Sequence, residues 1–210
     1  MKLSVALVVV AVVALTAALV VTRDGGGTES SGGGSASGPP LVREDSPRLA
    51  SGDKAVFVEY LDFECEACGA AHPTMEDLRE KYGDDVTFVV RHLPLHGNSM
   101  NASLAAEAAA EQGEFEAMHD KLFETQDEWG HSESSQAKVF EGYAEELGLD
   151  MAEYRKDIKD PALKKRIEQS EADARDLGVT GTPTFFIDGE KFEPSTVEDF
   201  DTALDEAIAD

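Results

Sequence analysis

The feature that most constrains this chain is a short passage where a strand-like run gives way to a helical one across a pair of cysteines. Ala55-Val56-Phe57-Val58-Glu59-Tyr60-Leu61 is apolar and rich in β-branched and aromatic residues, as expected of a strand buried on at least one face. From Ala67 to Tyr82, Ala70, Ala71, Met75, Leu78 and Tyr82 recur among charged residues at close to a helical period. Cys65 and Cys68, the only two cysteines in 210 residues, stand at the junction. Pro73 falls inside the predicted helix. It is expected to kink that helix about one turn beyond Cys68, because proline removes a backbone donor and crowds the preceding turn.

This position puts Cys65 at or just before a helix N-terminus, where free N–H groups and the positive end of the helix dipole favour thiolate over thiol. Cys68 follows one turn later, within reach of a mixed disulfide formed at Cys65. The spacing therefore supplies an attacking sulfur and a resolving sulfur. Two other readings of a lone C-x-x-C stay open. It is half of many structural zinc sites, but zinc needs two more ligands and no second cysteine pair exists, which leaves His72, His92, His96, His119 and His131 as candidates. It can also be an inert structural bridge, although an exported chain that uses cysteine for scaffolding ordinarily carries several.

Longer stretches extend the pattern. Leu61-Asp62-Phe63-Glu64-Cys65-Glu66-Ala67-Cys68 is followed by Arg91-His92-Leu93-Pro94-Leu95, by Phe115-Glu116-Ala117-Met118-His119-Asp120-Lys121-Leu122-Phe123, and finally by Thr180-Gly181-Thr182-Pro183-Thr184-Phe185-Phe186-Ile187. Together they resemble the DsbA-like branch of the thioredoxin superfamily over roughly residues 53–208. The resemblance implies that Cys65 is the nucleophile and Cys68 the resolving cysteine. It implies that Thr182 and Pro183 form a substrate-binding loop facing the cysteines, with a cis bond before Pro183. It implies no cofactor beyond the redox-active disulfide. The plainer reading of Thr182-Pro183 is a loop before a strand. The chain departs from the best-known oxidases of that branch, which carry Pro-His between the cysteines where this chain has Glu66-Ala67. Glu64 and Glu66 flank Cys65, and two carboxylates oppose a nearby thiolate. The disulfide is therefore expected to be less oxidising than in the strongest oxidants. Asp62 is expected either to assist proton transfer to Cys68 or to cap the approach to the helix.

The N-terminus is different in kind. Leu3 to Thr22 is uncharged and apolar, long enough to span a bilayer as a helix, with Lys2 before it and Arg23-Asp24 after it. Residues 1–23 are expected to be a transmembrane anchor or a cleaved signal sequence, and either places the rest outside the cytoplasm. Residues 24–51, with three Gly-rich clusters and many serines, read as a disordered linker. Residues 52–210 are sized for one core. They read as an α/β thioredoxin-like fold whose halves are separated by a helical insertion at about 98–177. Gly178 is placed to end the last insertion helix, Asp188-Gly189 to make a hairpin turn, and Ser195 or Thr196 to cap a final helix.

The net charge of −25 belongs to this domain, with 14 basic against 39 acidic residues beyond position 50. So acidic a surface excludes nucleic acid as a natural partner and is repelled by anionic lipid heads. The expected activity is that of an extracytoplasmic protein disulfide oxidoreductase acting on exported cysteine-containing proteins, as an oxidant. A membrane redox partner of the quinone-linked oxidase type is expected to restore the disulfide, and the chain to work as a monomer. A reductase or isomerase running the same exchange, or a non-catalytic peptide-binding or chaperone module, are the alternatives.

Overall fold

The computed structural model describes residues 40–209. The expected anchor or signal sequence, residues 1–23, and the linker up to residue 39 lie outside the described residues. Among the described residues no helix is long and apolar enough to cross a membrane.

The linker was expected to run to residue 51, and the structure corrects this. Strand β1 (Arg48–Ser51) is already part of the sheet, and Leu41 and Val42 pack beside Val58, Tyr60 and Val179. Arg43 makes two bonds, of 2.6 and 2.7 Å, to the buried carboxylate of Asp173. The Gly/Ser-rich composition stops at Pro40; beyond it Leu41, Val42 and Leu49 offer apolar surface and Arg43 an ion-pair partner, which is enough to order the chain.

Four further strands complete the sheet: β2 (Ala55–Leu61), β3 (Val86–His92), β4 (Thr184–Ile187) and β5 (Glu190–Phe192), in the order β1-β3-β2-β4-β5. β2 and β3 are parallel, as expected for strands joined by a crossover helix, α1 (Glu66–Tyr82); the other pairings are antiparallel. Because side chains alternate along a strand, Val58 and Tyr60 of the central β2 enter one apolar cluster. Phe57 points to the opposite face, against Phe88, Phe185 and Phe200, and Leu61 enters the cluster that also holds Cys68. Glu59 shares the parity of Phe57 and Leu61, so a carboxyl is carried into the face covered by α1.

A run of six helices separates β3 from β4 among the described residues. It comprises α2 (Ser99–Ala110), α3 (Phe115–Glu124), α4 (Gln126–Trp129), α5 (Ala137–Glu146), α6 (Met151–Asp157) and α7 (Pro161–Asp176). Five buried alanines let α2 pack closely against α3, α5 and α7. The indole of Trp129 is fully buried, edge-on to Phe140 at 4.9 Å, and donates to the Leu122 carbonyl at 3.0 Å. Past α7, Gly178 takes φ +72° while Val179 N–H returns to the Ala174 carbonyl at 2.8 Å, a helix stop that a β-carbon would strain. Asp188 and Gly189 both have positive φ in the turn between β4 and β5. Thr196 is the N-cap residue of α8 (Val197–Ala207), and the Asp199 carboxylate accepts from its N–H and that of Ser195.

Gly52 fixes the entry to β2. A β-carbon there would stand 2.1 Å from both the Asp85 carbonyl carbon and the Val86 nitrogen, which are backbone atoms that cannot swing aside. Gly52→Ala is expected to lower the thermal midpoint by about 5–10 °C, the scale of an overpacked contact in a domain of this size. Gly97→Ala, with open space where its β-carbon would lie, is the control in the same unfolding scan and should stay near wild type.

Candidate active site

Cys65 is the N-cap residue of α1, with extended backbone at φ −76° and ψ 119°. Its carbonyl receives the Gly69 N–H, opening the helix, while its side chain stands outside the first turn and half-buried. Cys65 therefore stands at the helix start, although its sulfur makes no capping bond to the first-turn N–H groups. Both cysteines are thiols. Cys65 Sγ donates to the Thr182 carbonyl at 3.4 Å, and the Thr182–Pro183 bond that follows is cis. The loop before β4 thus faces the cysteine loop although 117 positions separate the two residues.

Cys68 lies beneath, buried among Leu61, Phe63 and Val90. Burial pushes its thiol pKa well up, and the charge of Glu59 pushes it further. The Asp62 backbone N–H and the Thr182 hydroxyl oppose this. That hydroxyl is itself buried and meets hydrogen-bond geometry with no partner. The two sulfurs are thus unequal: the outer one is accessible at a helix terminus, the inner one strongly disfavoured as thiolate.

Glu59 is the residue that sequence reasoning missed. Burial alone pushes its carboxyl up to about 8. The signal was present, because Glu59 is the single charge in a strand otherwise made for burial.

The three acids expected around the cysteines separate. The contacts of Asp62 are those of a residue that braces the approach to the helix. Its carboxylate accepts from the N–H groups of Glu64 at 2.9 Å and Leu95 at 2.8 Å and lies 2.6 Å from His96 Nδ1. It braces the turn that presents Cys65. Glu64 is buried and accepts from Asn98 N–H at 2.6 Å and His131 N–H at 2.9 Å. Its charge is met by these donors, so it is not the free flanking charge that the sequence suggested. Glu66 is 82% exposed at its side chain and pairs with His131 Nε2 at 3.1 Å.

Two further residues hold the site and carry no local sequence signal. Gln126 of α4 donates to the carbonyls of Phe63 and Cys65, at 2.7 and 3.0 Å. Asn98 ties Glu64 to the loop before α5 through Ser132 and Gln136. His92 lies deeper, 3.0 Å from Glu107, whose other oxygen holds Arg166 at 2.6 Å.

A family model described as Thioredoxin matches residues 51–206. A protein named Na(+)/H(+) antiporter NhaA, from Herminiimonas arsenicoxydans, is 40% identical over 158 residues, covering 75% of this chain and 24% of its own length. The chain thus spans about a quarter of the length of the curated relatives it matches. Among solved structures, a thioredoxin-like oxidoreductase from Silicibacter pomeroyi is 29% identical with a TM-score of 0.68, covering 81% of this chain and 96% of that one. Wolbachia pipientis alpha-DsbA1, 21% identical, has the same fold with a TM-score of 0.72 over 80% of this chain and 94% of its own. With the sheet order, the insertion between β3 and β4, and a cysteine pair opening α1, these matches place the chain in the thioredoxin family, with a fold that it shares with alpha-DsbA1.

Proposed function

We propose that this protein is an extracytoplasmic thiol–disulfide oxidoreductase that passes the Cys65–Cys68 disulfide to cysteines of exported proteins. The observation that carries this reading is the inequality of the two sulfurs: Cys65 half-exposed at the start of α1 against the Thr182 carbonyl, Cys68 buried behind it. A substrate thiolate attacks Cys65 Sγ, the Cys65–Cys68 bond breaks, and Cys68 leaves with the electron pair and takes up a proton. A second substrate thiolate then attacks the substrate sulfur of the mixed disulfide. Cys65 departs as thiolate at the helix terminus, the product gains its disulfide, and the pair has accepted two electrons.

The electrons rest on the two sulfurs, so the exchange itself needs no organic cofactor and no metal. Thr182 and Pro183 are proposed to hold the substrate, whose extended backbone would take the place beside the Thr182 carbonyl that the Cys65 thiol now occupies. A membrane partner of the quinone-linked oxidase type would remove the electrons, with the domain held outside the cytoplasm on its N-terminal anchor and working as a monomer. The presence of a related segment within longer chains named as Na(+)/H(+) antiporters supports a place at a membrane.

Equilibration with glutathione buffers tests the direction. Strong oxidants of this type sit near about −120 mV and thioredoxin-like reductants near about −270 mV. With Glu66 in place of a helix-opening proline, a value between about −130 and −220 mV is expected. A value below about −240 mV would make the protein a reductant, and a pair that never equilibrates with glutathione would remove the activity altogether.

A further inference from the structure

The fold assembles a ligand set that sequence spacing does not reveal. His72 of α1 and His119 of α3 lie 47 positions apart, yet their rings meet edge to face at 5.4 Å, and Asp120 adjoins them. One ligand atom from each of the three lies within 4.8 Å of the others. His72 and His119 are only 5% and 2% exposed, and the Nε2 atom of each is buried with no hydrogen-bond partner. A buried polar atom left unpaired costs about 1–3 kcal/mol, so two on adjoining rings call for a ligand. Both rings line one cavity of about 10 Å³, room for a single water or ion. Phe123 packs on both at about 5 Å and fixes their planes.

The chemistry of the donors suits a cation. Each ring presents a buried Nε2 that no hydrogen bond in the fold engages. Asp120 Oδ1 lies 2.8 Å from His119 Nδ1 and 4.0 Å from His72 Nε2, while Oδ2 is the oxygen that takes Arg79, at 3.4 Å. Glu76, one turn along α1, brings a partly exposed carboxylate to 3.6 Å from His72 Nε2.

We propose that His72, His119 and Asp120 bind one divalent transition-metal ion of the zinc class, with Glu76 or water completing a four-coordinate shell. Two imidazoles and a carboxylate are ordinary ligands for such an ion, and metal bonds of about 2.0–2.2 Å draw the ligand atoms in by only about an ångström. His72 shares a helix face with Cys68, one turn away, so the ion pins the cysteine-bearing helix to α3 of the insertion. It takes no part in the electron transfer.

The test uses the full chain without a histidine tag and with Cys65–Cys68 oxidised, so that sulfur cannot ligate. Equilibrium dialysis against zinc, with bound metal measured by mass spectrometry, should give one ion per chain and a raised thermal midpoint. His72→Gln and Asp120→Asn should each weaken binding at least about tenfold and abolish the thermal shift, as loss of a ligand does, whereas His131→Asn should change neither. No stoichiometric binding even at millimolar free zinc overturns the proposal. So does binding undiminished by the substitutions. If His72→Gln fails to fold, the partly exposed Asp120→Asn decides alone.

Discussion

Cys65→Ser should abolish disulfide exchange while leaving the fold intact, and Cys68→Ser should do something different. The outer sulfur is half-exposed and its one polar contact is a weak thiol bond to the Thr182 carbonyl, so a hydroxyl replaces it at little cost. The loss of the nucleophile, however, is complete, and exchange should fall to the uncatalysed rate, about a thousandfold or more. In Cys68→Ser the attacking sulfur survives and the resolving one is gone. Incubation with a peptide disulfide should then leave a stable adduct at Cys65, visible by intact mass and removed by a reductant. The serine hydroxyl enters the apolar setting of Leu61 and Phe63, so this variant should also lose about 1–3 kcal/mol of stability. A non-catalytic module braced by the pair predicts the reverse for Cys65→Ser, namely lost stability with peptide binding kept. Continued exchange in that variant would end the redox reading, as would Cys68→Ser forming no adduct.

What could be read from the sequence was whatever depends on local pattern. The strand β2 and the helix α1 that meet at the cysteines followed from an apolar run and a helical period. Cys65 at the N-terminus of α1 followed from the same period, and Gly178, Asp188-Gly189 and Thr196 followed from backbone preferences that need no tertiary context. The linker boundary failed because composition averaged over residues 24–51 concealed Leu41, Val42 and Arg43, whose partners lie in distant strands and in α7. The acids failed for a related reason. Sequence gives a carboxylate's neighbours in the chain but not its hydrogen-bond donors, and the donors decide its role. Asp62 is held by Leu95 and His96, and Glu64 by Asn98 and His131, all more than thirty positions away. His72 and His119 meet only because α1 and α3 pack together. Glu59 needed no distant partner; it needed only the recognition that a charge inside a buried strand is an exception demanding an explanation.

Glu59→Gln should flatten the pH dependence of the domain's stability. In the unfolded chain this carboxyl titrates near its ordinary 4.5; in the fold burial raises it to about 8. Between those values the native state holds a proton that the unfolded state has released, so stability falls by about 1.4 kcal/mol for each pH unit. The contribution is whole below the unfolded value and lost as the pH rises through the folded one. Glutamine does not titrate, and other groups cancel when variant and wild type are subtracted. Their difference in unfolding free energy should therefore shift in favour of the variant by roughly 3 kcal/mol between about pH 5 and pH 8, measured by urea unfolding of the reduced proteins. A difference that stays constant with pH would refute the buried, unpaired carboxyl. The same substitution should slow the step in which Cys68 leaves or attacks by roughly tenfold or more, because Glu59 can hand over a proton as the acid when Cys68 leaves and take one as the carboxylate when Cys68 attacks, and an amide can do neither. Asp62→Asn should leave the pH profile of that step where it is, since its carboxylate is occupied by the turn that carries Cys65, and should instead reduce stability at every pH where exchange is measured.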